Sequence, residues 1–546
     1  MALSPIQRAN FATISRLLSC VINLTNSFAK SSLNHGVIFV LPENDKIDNK
    51  NIIIISMLHE PILSKDQEND STPTKVDFVD PWDMTAPVYQ IRYDPFQFVS
   101  LDELKSITTR PMNEREEISP SEFMNLLGLW MNLGDDKLID KLCAELDSSV
   151  KFQEYTYKNP QPTPSLLSSS IEWEQSLIEG HALHPMHKSR FALPPISEIL
   201  PGTYDFRKPT IRFVEVPRDK TYLRGRWGEN LDRLLDVMKQ RPICSPNLVL
   251  FPVHELQLPN IKEKFPYVKI LPIEYSIEAY SQASLRTLVV PEVPGFAFKL
   301  SLGITVSSAL RTITPWSTHT GPELIPIFKK LYINKEILKI SNAVAKDFNA
   351  PSENVIICAA LTERDENGVS VVEKVWRLDT EEKRVKFLRR YSWLLFSAFL
   401  PPVLHNAHMA SGQLIGFVVR DFSNIKYHQD TLFASTGLRA NMLKDNITEA
   451  KDLVEVYTNL YHTLILCNIY RLIRALNLHY SGVGWKIVRE HLSEIIPRDH
   501  LLWKLWLEDK VTKLKCFMRM KCEKLYRDYI YRPIPNLILY NYENEN

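Results

Sequence analysis

Hydrophobic and polar residues alternate with period two over residues 296–307. Phe296, Phe298, Leu300, Leu302, Ile304 and Val306 fall on one face, and Lys299, Ser301, Thr305 and Ser307 on the other. That is the pattern of a strand with one buried side and one wet side. Residues 285–290 are also strand-like, and Pro294-Gly295 between the two runs supplies turn chemistry. Folding the runs about that turn predicts a hairpin with Arg286 opposite Gly303 and Ser284 opposite Thr305. One polar face then carries Ser284, Arg286, Lys299, Ser301, Thr305 and Ser307, with Arg311 just beyond its end. Guanidinium groups, an ammonium and several hydroxyls on one face suit a polyanion, since Arg matches planar carboxylate or phosphate and Lys acts as a point charge. Charged outward faces are ordinary on antiparallel sheets, so the pattern alone marks a candidate.

The remaining pattern predicts an α+β protein. Residues 51–58 read as a buried strand and 65–75 as a polar surface loop. Ser119-Pro-Ser-Glu122 reads as the start of a helix over 123–133, with Gly134 as its stop. Residues 1–163 show no evident chemistry and read as scaffold or as a surface between the copies of a homodimer. Residues 160–164 form a proline-rich linker, followed by a short helix over 165–179 with Gly180 in the role of helix terminator. Strands are expected at 211–216, 247–251 and 269–273. Beyond Gly321 the character turns helical. Asp379 caps a helix ending at Pro401-Pro402, and residues 450–476 and 499–529 carry 3.6-residue apolar spacing. The expected division is 1–163, 164–322 and 323–546.

Composition narrows the partners. The 546 residues are 45% apolar and 24% charged, with a net charge of +1. That length calls for two or three domains or subdomains, and that charge favours neither nucleic acid nor a membrane surface. Any anion site must be local. Glycine numbers only 16, and the sequence has no GxxxxGK[ST], GxGxxG or GxSxG. A nucleotide, if bound, is therefore held by side chains and not by a glycine-rich nest. The seven cysteines are scattered without a CxxC, which points to a reducing compartment. No apolar run reaches membrane-spanning length and no secretory signal is evident, so a cytoplasmic location is expected. His181, His184 and His187 recur every third residue, but Pro185 breaks any helix that would align them, and no carboxylate sits at ligand spacing.

Several ordered motifs resemble one family. They are Ser284-Leu-Arg-Thr287, Lys299-Leu-Ser-Leu302 and the run Ser307 to Thr312 reading SSALRT. The run GHALHPMHKSR at 180–190 is similar to GHPxHPxxKxRxG, with Gly180, His181, His184, Pro185, Lys188 and Arg190 matching and Ala182 and Ala192 differing. Pro252-Val-His-Glu-Leu-Gln257 is similar to PVHPWQ, which makes His254 and Gln257 weaker candidates. In the segment 404–422, Ala407, His408 and the closing GFVVRDF match, whereas Asn406, Ala410 and Ser411 replace a glutamate, a glutamine and an asparagine. Leu514-Lys515 through Met520, with Asn536 later, is similar to the family's close. The family is that of the NRPS-independent (NIS) siderophore synthetases of the IucA/IucC type.

The resemblance implies a three-part thumb, fingers and palm architecture, with ATP and a polycarboxylic acid such as citrate meeting between fingers and palm. It implies ligation of the acid to an amine through an acyl adenylate. His181, Ser284, Arg286, Thr287 and Lys299 would hold ATP, and Asp421 would hold Mg2+ or order Arg420. Arg311, His408 and Lys515 would bind and activate the acid, which His184, Lys188, Arg190 and Ser307 also face. Simple alternation places Thr287 on the far side of its strand from the others. A diamine such as putrescine, as in rhizoferrin-type siderophores of fungi, is the first choice of amine. The alternatives are a non-catalytic citrate- or ATP-binding relative and a metal-dependent hydrolase using His181, His184 and His408.

Overall fold

The computed structural model describes residues 2–311 and 484–544, except 25–28, 33–35, 43–50, 60, 64–73, 93–101, 103–105, 108–114, 163–167, 182, 222, 224–226, 294–296, 308, 497, 499–502 and 516–530. The expected helices at 379–400 and 450–476, together with His408, Arg420 and Asp421, lie outside the described residues. Among the described residues helix and strand are mixed. Two compact units are present: Met1–Ala144, His181–Pro185 and Pro326–Asn546 form one, and Glu145–Gly180 and Met186–Ile325 the other.

The first unit opens with helix α1 (Pro5–Leu24). An antiparallel sheet of seven strands follows, comprising β1 (Ala29–Ser32), β2 (Val37–Val40), β3 (Asn51–Met57), β4 (Ile62–Leu63), β5 (Thr74–Phe78), β6 (Met84–Arg92) and β7 (Glu116–Glu117), in the order β4-β5-β1-β2-β3-β6-β7. Strand β3 realises the strand expected at 51–58. It is central, and Ile52 to Ile55 are all buried, which is why its sequence runs apolar instead of alternating. The loop expected through residue 75 ends earlier, because β5 begins at Thr74. Helix α2 (Pro120–Trp130) starts as expected: the Ser119 hydroxyl accepts the Glu122 amide and the Glu122 carboxylate accepts the Ser119 amide. Gly134 adopts a left-handed φ of 59° beyond its end. Helix α3 (Asp136–Lys158) begins in this unit, and its residues from Glu145 onward belong to the second.

In the second unit the helix expected over 165–179 is shorter. It is α4 (Ser170–Gln175), opened by a reciprocal Ser169–Glu172 cap and closed at Ser176. Gly180 therefore terminates no helix. Strands β8 (Arg190–Ala192), β9 (Thr210–Pro217) and β10 (Leu248–His254) follow, with helix α5 (Trp227–Leu235) between β9 and β10 and helix α6 (Leu258–Lys264) after β10. Then come β11 (Lys269–Ile270), β12 (Ile277–Glu278), β13 (Tyr280–Ser281), β14 (Thr287–Val289), β15 (Phe298–Lys299), β16 (Leu302–Val306) and β17 (Ala309–Arg311). Strand β9 is the hub of one sheet, pairing antiparallel with β10, β11 and β12. The strand expected over 269–273 stops at Ile270 and passes into a 3-10 turn at Ile273–Tyr275.

The long strand expected over 296–307 is split at Leu300-Ser301. Strand β15 joins β14 and β13, while β16 lies between β17 and β8 in a separate sheet. All five residues of β16 are buried, so it has no wet face. Gly303 permits this enclosure, because a Cβ there would come within 2.6 Å of Ile196 Cδ1. Leu288, Val290 and Leu300 share a core with Ile211, Phe213, Leu250 and Leu271, which seats the hairpin on the β9 sheet.

The closing part of the first unit holds α7 (Gly484–Ile495), a π-helical turn (Lys504–Glu508), β18 (Val511–Lys515), β19 (Tyr531–Pro535) and α8 (Leu537–Asn544). The helix expected over 499–529 is thus replaced at 511–515 by a strand paired with β19. Asn536 supplies the reason. Its buried carboxamide donates to the carbonyls of Trp506 (3.3 Å) and Asp509 (2.8 Å) and accepts the Ile538 amide (3.1 Å), ending the π turn and opening α8 with one side chain. Among the described residues no helix is long and apolar enough to cross a membrane.

Leu288 is fully buried at the centre of the hairpin core. Leu288→Ala is expected to lower unfolding stability by about 2–5 kcal/mol. Urea unfolding checks this, and a loss under 1 kcal/mol would mean that the hairpin is not seated on that core.

Candidate functional site

The hairpin forms, but its register differs from the expected one. Thr287 lies opposite Lys299 and Leu288 opposite Phe298. The carbonyl of Arg286 accepts the Leu300 amide at 2.9 Å, so Arg286 faces Leu300 and not Gly303. The shift is an odd number of residues, and it reverses which side chains share a face. Thr287, expected on the far side, stands directly across from the exposed Lys299.

Leu285 produces the reversal. Its φ of 63° breaks the strand, and its side chain is buried with Leu302, Ile304 and Val306. The Gln282 carbonyl accepts the Leu285 amide (2.8 Å), and the Gln282 amide donates to the Thr287 carbonyl (2.9 Å). Within this tight turn the exposed Ser284 hydroxyl donates to Thr287 Oγ1 at 2.9 Å. Ser284, Thr287 and Lys299 are therefore brought together as two hydroxyls and an ammonium, a combination able to accept a polyphosphate.

Other members of the expected face separate from it. Thr305 is buried and donates to the Phe191 carbonyl (3.3 Å), and Ser307 occupies a turn with φ 50°. In the β16 sheet Val306 lies opposite Arg190, and Leu302 lies opposite Arg311 at the end of β17. The guanidinium of Arg190 donates to the Ser189 carbonyl (2.9 Å) and lies 6.0 Å from the Phe206 ring centroid. The ammonium of Lys188 donates to the Leu177 carbonyl (3.2 Å).

In the first unit, His181 is exposed and His184 buried, with the two rings edge to face at 6.1 Å. The His181 Nδ1 accepts the Leu183 amide (3.2 Å), and its carbonyl accepts from Nε of the buried Arg16 (3.1 Å). Among the described residues no three His, Cys, Asp or Glu side chains are grouped to hold a metal ion. Lys515, expected on a helix, ends β18 opposite Tyr531.

The weaker candidates at 252–257 take structural roles. The His254 ring accepts the Leu256 amide (3.2 Å), and burial holds its pKa down at about 4. Gln257, with its carboxamide oxygen turned toward β16, accepts the amides of Leu302 (3.2 Å) and Gly303 (3.0 Å). Glu255 accepts from the Tyr204 hydroxyl (2.6 Å) and the Thr210 amide (2.9 Å). Burial, reinforced by that carboxylate, pushes the Tyr204 phenol far above its usual range.

The residues that pattern reading missed lie on α3. Ser148 and Ser149 hydroxyls accept the amides of Arg190 and Lys188, both at 3.1 Å, and Gln153 and Tyr157 bond the same segment. Their signal was a helix stripe (Glu145, Ser149, Gln153, Tyr157) that is polar at four-residue spacing and nevertheless buried.

Comparison with known proteins gives a consistent picture. The IucA / IucC family model matches residues 169–393. The NRPS-independent siderophore synthetase rfs of Rhizopus delemar is 36% identical over 97% of this chain and 96% of its own length. A citryl-spermidine/3,4-dihydroxybenzoyl-citryl-spermidine:spermidine ligase of Bacillus anthracis is 29% identical over 42% of this chain and 40% of its own. In structure, the petrobactin biosynthesis protein AsbB of Bacillus anthracis str. Sterne matches with a TM-score of 0.66 at 14% identity, covering 99% of this chain and 97% of that one. That likeness establishes a shared fold.

The His254 imidazole fixes a pH dependence. The unfolded imidazole takes up a proton below about pH 6.5 and the folded one only near pH 4, so the unfolded state binds more protons between those values. The contribution of His254 to stability is full above pH 6.5 and is lost as the pH drops toward 4, by on the order of 3 kcal/mol. His254→Asn keeps an acceptor for the Leu256 amide without the titration. Urea unfolding at pH 7 and pH 4 should show the wild type losing more than the variant by that amount, and equal losses would exclude His254 as the source.

Proposed function

This chain belongs to the IucA/IucC family of NRPS-independent siderophore synthetases, and from that premise we propose that it condenses citrate with an amine in an ATP-dependent ligation. It is a ligase forming carbon–nitrogen bonds. What carries the reading is near full-length kinship to a siderophore synthetase in a chain whose hairpin gathers Ser284, Thr287 and Lys299.

The chemistry follows from the reactants. A carboxylate is a poor electrophile toward an amine. A citrate carboxylate oxygen attacks the α-phosphorus of Mg·ATP, the bond to the bridging oxygen breaks, and pyrophosphate leaves. The amine nitrogen then attacks the acyl carbon, AMP departs with the electron pair of the acyl–oxygen bond, and the nitrogen gives up a proton. Both steps bring polyanions together, so positioned cations supply most of the barrier reduction.

In this reading Ser284, Thr287 and Lys299, with His181, hold the triphosphate, and Arg286, which the observed register turns to the other face of the strand pair, leaves that group. Arg311, Ser307, His408 and Lys515 hold the carboxylates, aided by His184, Lys188 and Arg190, and Asp421 serves the nucleotide's Mg2+ or orders Arg420. We assign residues 1–163, 164–322 and 323–546 to thumb, fingers and palm. A flexible aliphatic diamine such as putrescine is the preferred amine, giving a rhizoferrin-type product. The polyamine named in the Bacillus anthracis ligase is of the same chemical class, which supports that choice.

Lys299→Ala and Arg311→Ala are each expected to lower citrate-dependent hydroxylamine trapping by on the order of 30- to 900-fold, the equivalent of about 2–4 kcal/mol in transition-state stabilisation. Wild-type turnover in both variants would remove these residues from the site. Pyrophosphate release with citrate across a panel of amines, with products identified by mass, tests the reaction itself. Binding of ATP and citrate without pyrophosphate release would instead make the protein a non-catalytic relative.

A further inference from the structure

Within the second unit, α3 turns a row of polar side chains toward the segment that carries Lys188 and Arg190. Ser149 and Gln153 are fully buried and Tyr157 is nearly so. Helices ordinarily bury apolar residues at this four-residue spacing. Here the spacing is used for hydrogen bonds. Ser148 and Ser149 take the amides of Arg190 and Lys188, and Tyr157 donates to the buried Glu179 at 2.7 Å.

Gln153 reaches both arms of the segment. Its Nε2 donates to the Ile178 carbonyl at 3.1 Å, and its Oε1 lies 3.1 Å from His187 Nε2. A carboxamide oxygen only accepts, so His187 carries a proton on Nε2. Gly180 completes the closure. A Cβ at that position would sit 2.6 Å from the His187 carbonyl oxygen, so only glycine allows the two arms to approach this closely. Residues 178–180 and 187 therefore form a neck, tied across by one carboxamide.

We propose that Gln153 is a positioning residue for the acid-binding segment: by closing the neck between Ile178 and His187 it fixes the points from which the Lys188 and Arg190 side chains leave. The proposal rests on the reading of Lys188 and Arg190 as citrate-facing. A leucine of similar volume would fill the same space and keep the helix, so the polar choice buys conformational definition more than packing.

The test uses the full chain with Gln153→Leu, Gln153→Glu and Gly180→Ala. Gln153→Leu is expected to raise the KM for citrate about tenfold while kcat stays within about threefold. It should also speed amide hydrogen exchange over residues 176–190 and leave β9 unchanged. Gln153→Glu keeps the acceptor for His187 and loses the donor to Ile178, and should fall between the wild type and Gln153→Leu. Gly180→Ala pries the neck apart with Gln153 intact and should raise the citrate KM in the same direction. If Gln153→Leu does not fold, the other two variants decide. Unchanged citrate KM together with unchanged exchange, or a loss confined to thermal midpoint and kcat, would overturn the proposal. Absence of any citrate-dependent turnover in the wild type would defeat the ligase reading instead, and the exchange measurement would still decide whether Gln153 closes the neck.

Discussion

Between the two hydroxyl residues of the hairpin, Leu285 sits in the left-handed region at φ 63°. A non-glycine residue there carries a penalty of roughly 1–2 kcal/mol. Burying its side chain with Leu302, Ile304 and Val306 returns about 1.5–3 kcal/mol, enough to hold it. The consequence is geometric. Because the chain reverses at Leu285, Ser284 and Thr287 meet within hydrogen-bond distance, and Thr287 comes to stand opposite Lys299. A leucine pointing into the core of the β16 sheet thus determines which polar atoms face outward from the neighbouring sheet.

The same coupling of hidden packing to outward chemistry recurs along the second unit. Strand β16 is buried throughout, and Gln257 receives its amides at Leu302 and Gly303. His254, from the same stretch, stays neutral because burial removes the solvation that its charged form requires. Two residues that resemble site positions in sequence therefore act one layer behind the surface. A net contribution of about 0.5–1.5 kcal/mol per hydrogen bond is modest, but leaving such groups unsatisfied in the interior costs more, so each bond restricts the alternatives strongly.

Much of this was legible in the sequence, and the failures have physical causes. The cap at Ser119, strand β3 and strand β9 follow from local chemistry and periodicity, which tertiary structure did not override. Of the alternating run 296–307, Phe298–Lys299 and Leu302–Val306 are strand as expected. Alternation could not reveal that the chain changes sheets at Leu300-Ser301, because a residue buried between two layers and one facing water obey the same period. Thr305 was read as wet for that reason. The apolar spacing at 499–529 suggested one helix, and the interruption depends on Asn536, far along the chain and invisible to any local window. The polar stripe on α3 passed unnoticed because serine and glutamine on a helix usually face solvent.

A protein that binds nucleotide through a glycine-rich nest places backbone amides against phosphate, and the backbone is rigid by construction. This chain has 16 glycines in 546 residues and none of the glycine-rich phosphate motifs, so in the proposed reading its cations come from side chains with rotamer freedom to lose. A lysine loses up to about 2 kcal/mol of side-chain entropy on being fixed. That loss is smaller if the backbone beneath the side chain is already immobile. Strand pairing under Thr287 and Lys299, and serine and glutamine contacts under Lys188 and Arg190, provide that immobility. In the proposed reading the residues behind the cations set how much of that entropy remains to be lost when substrate binds.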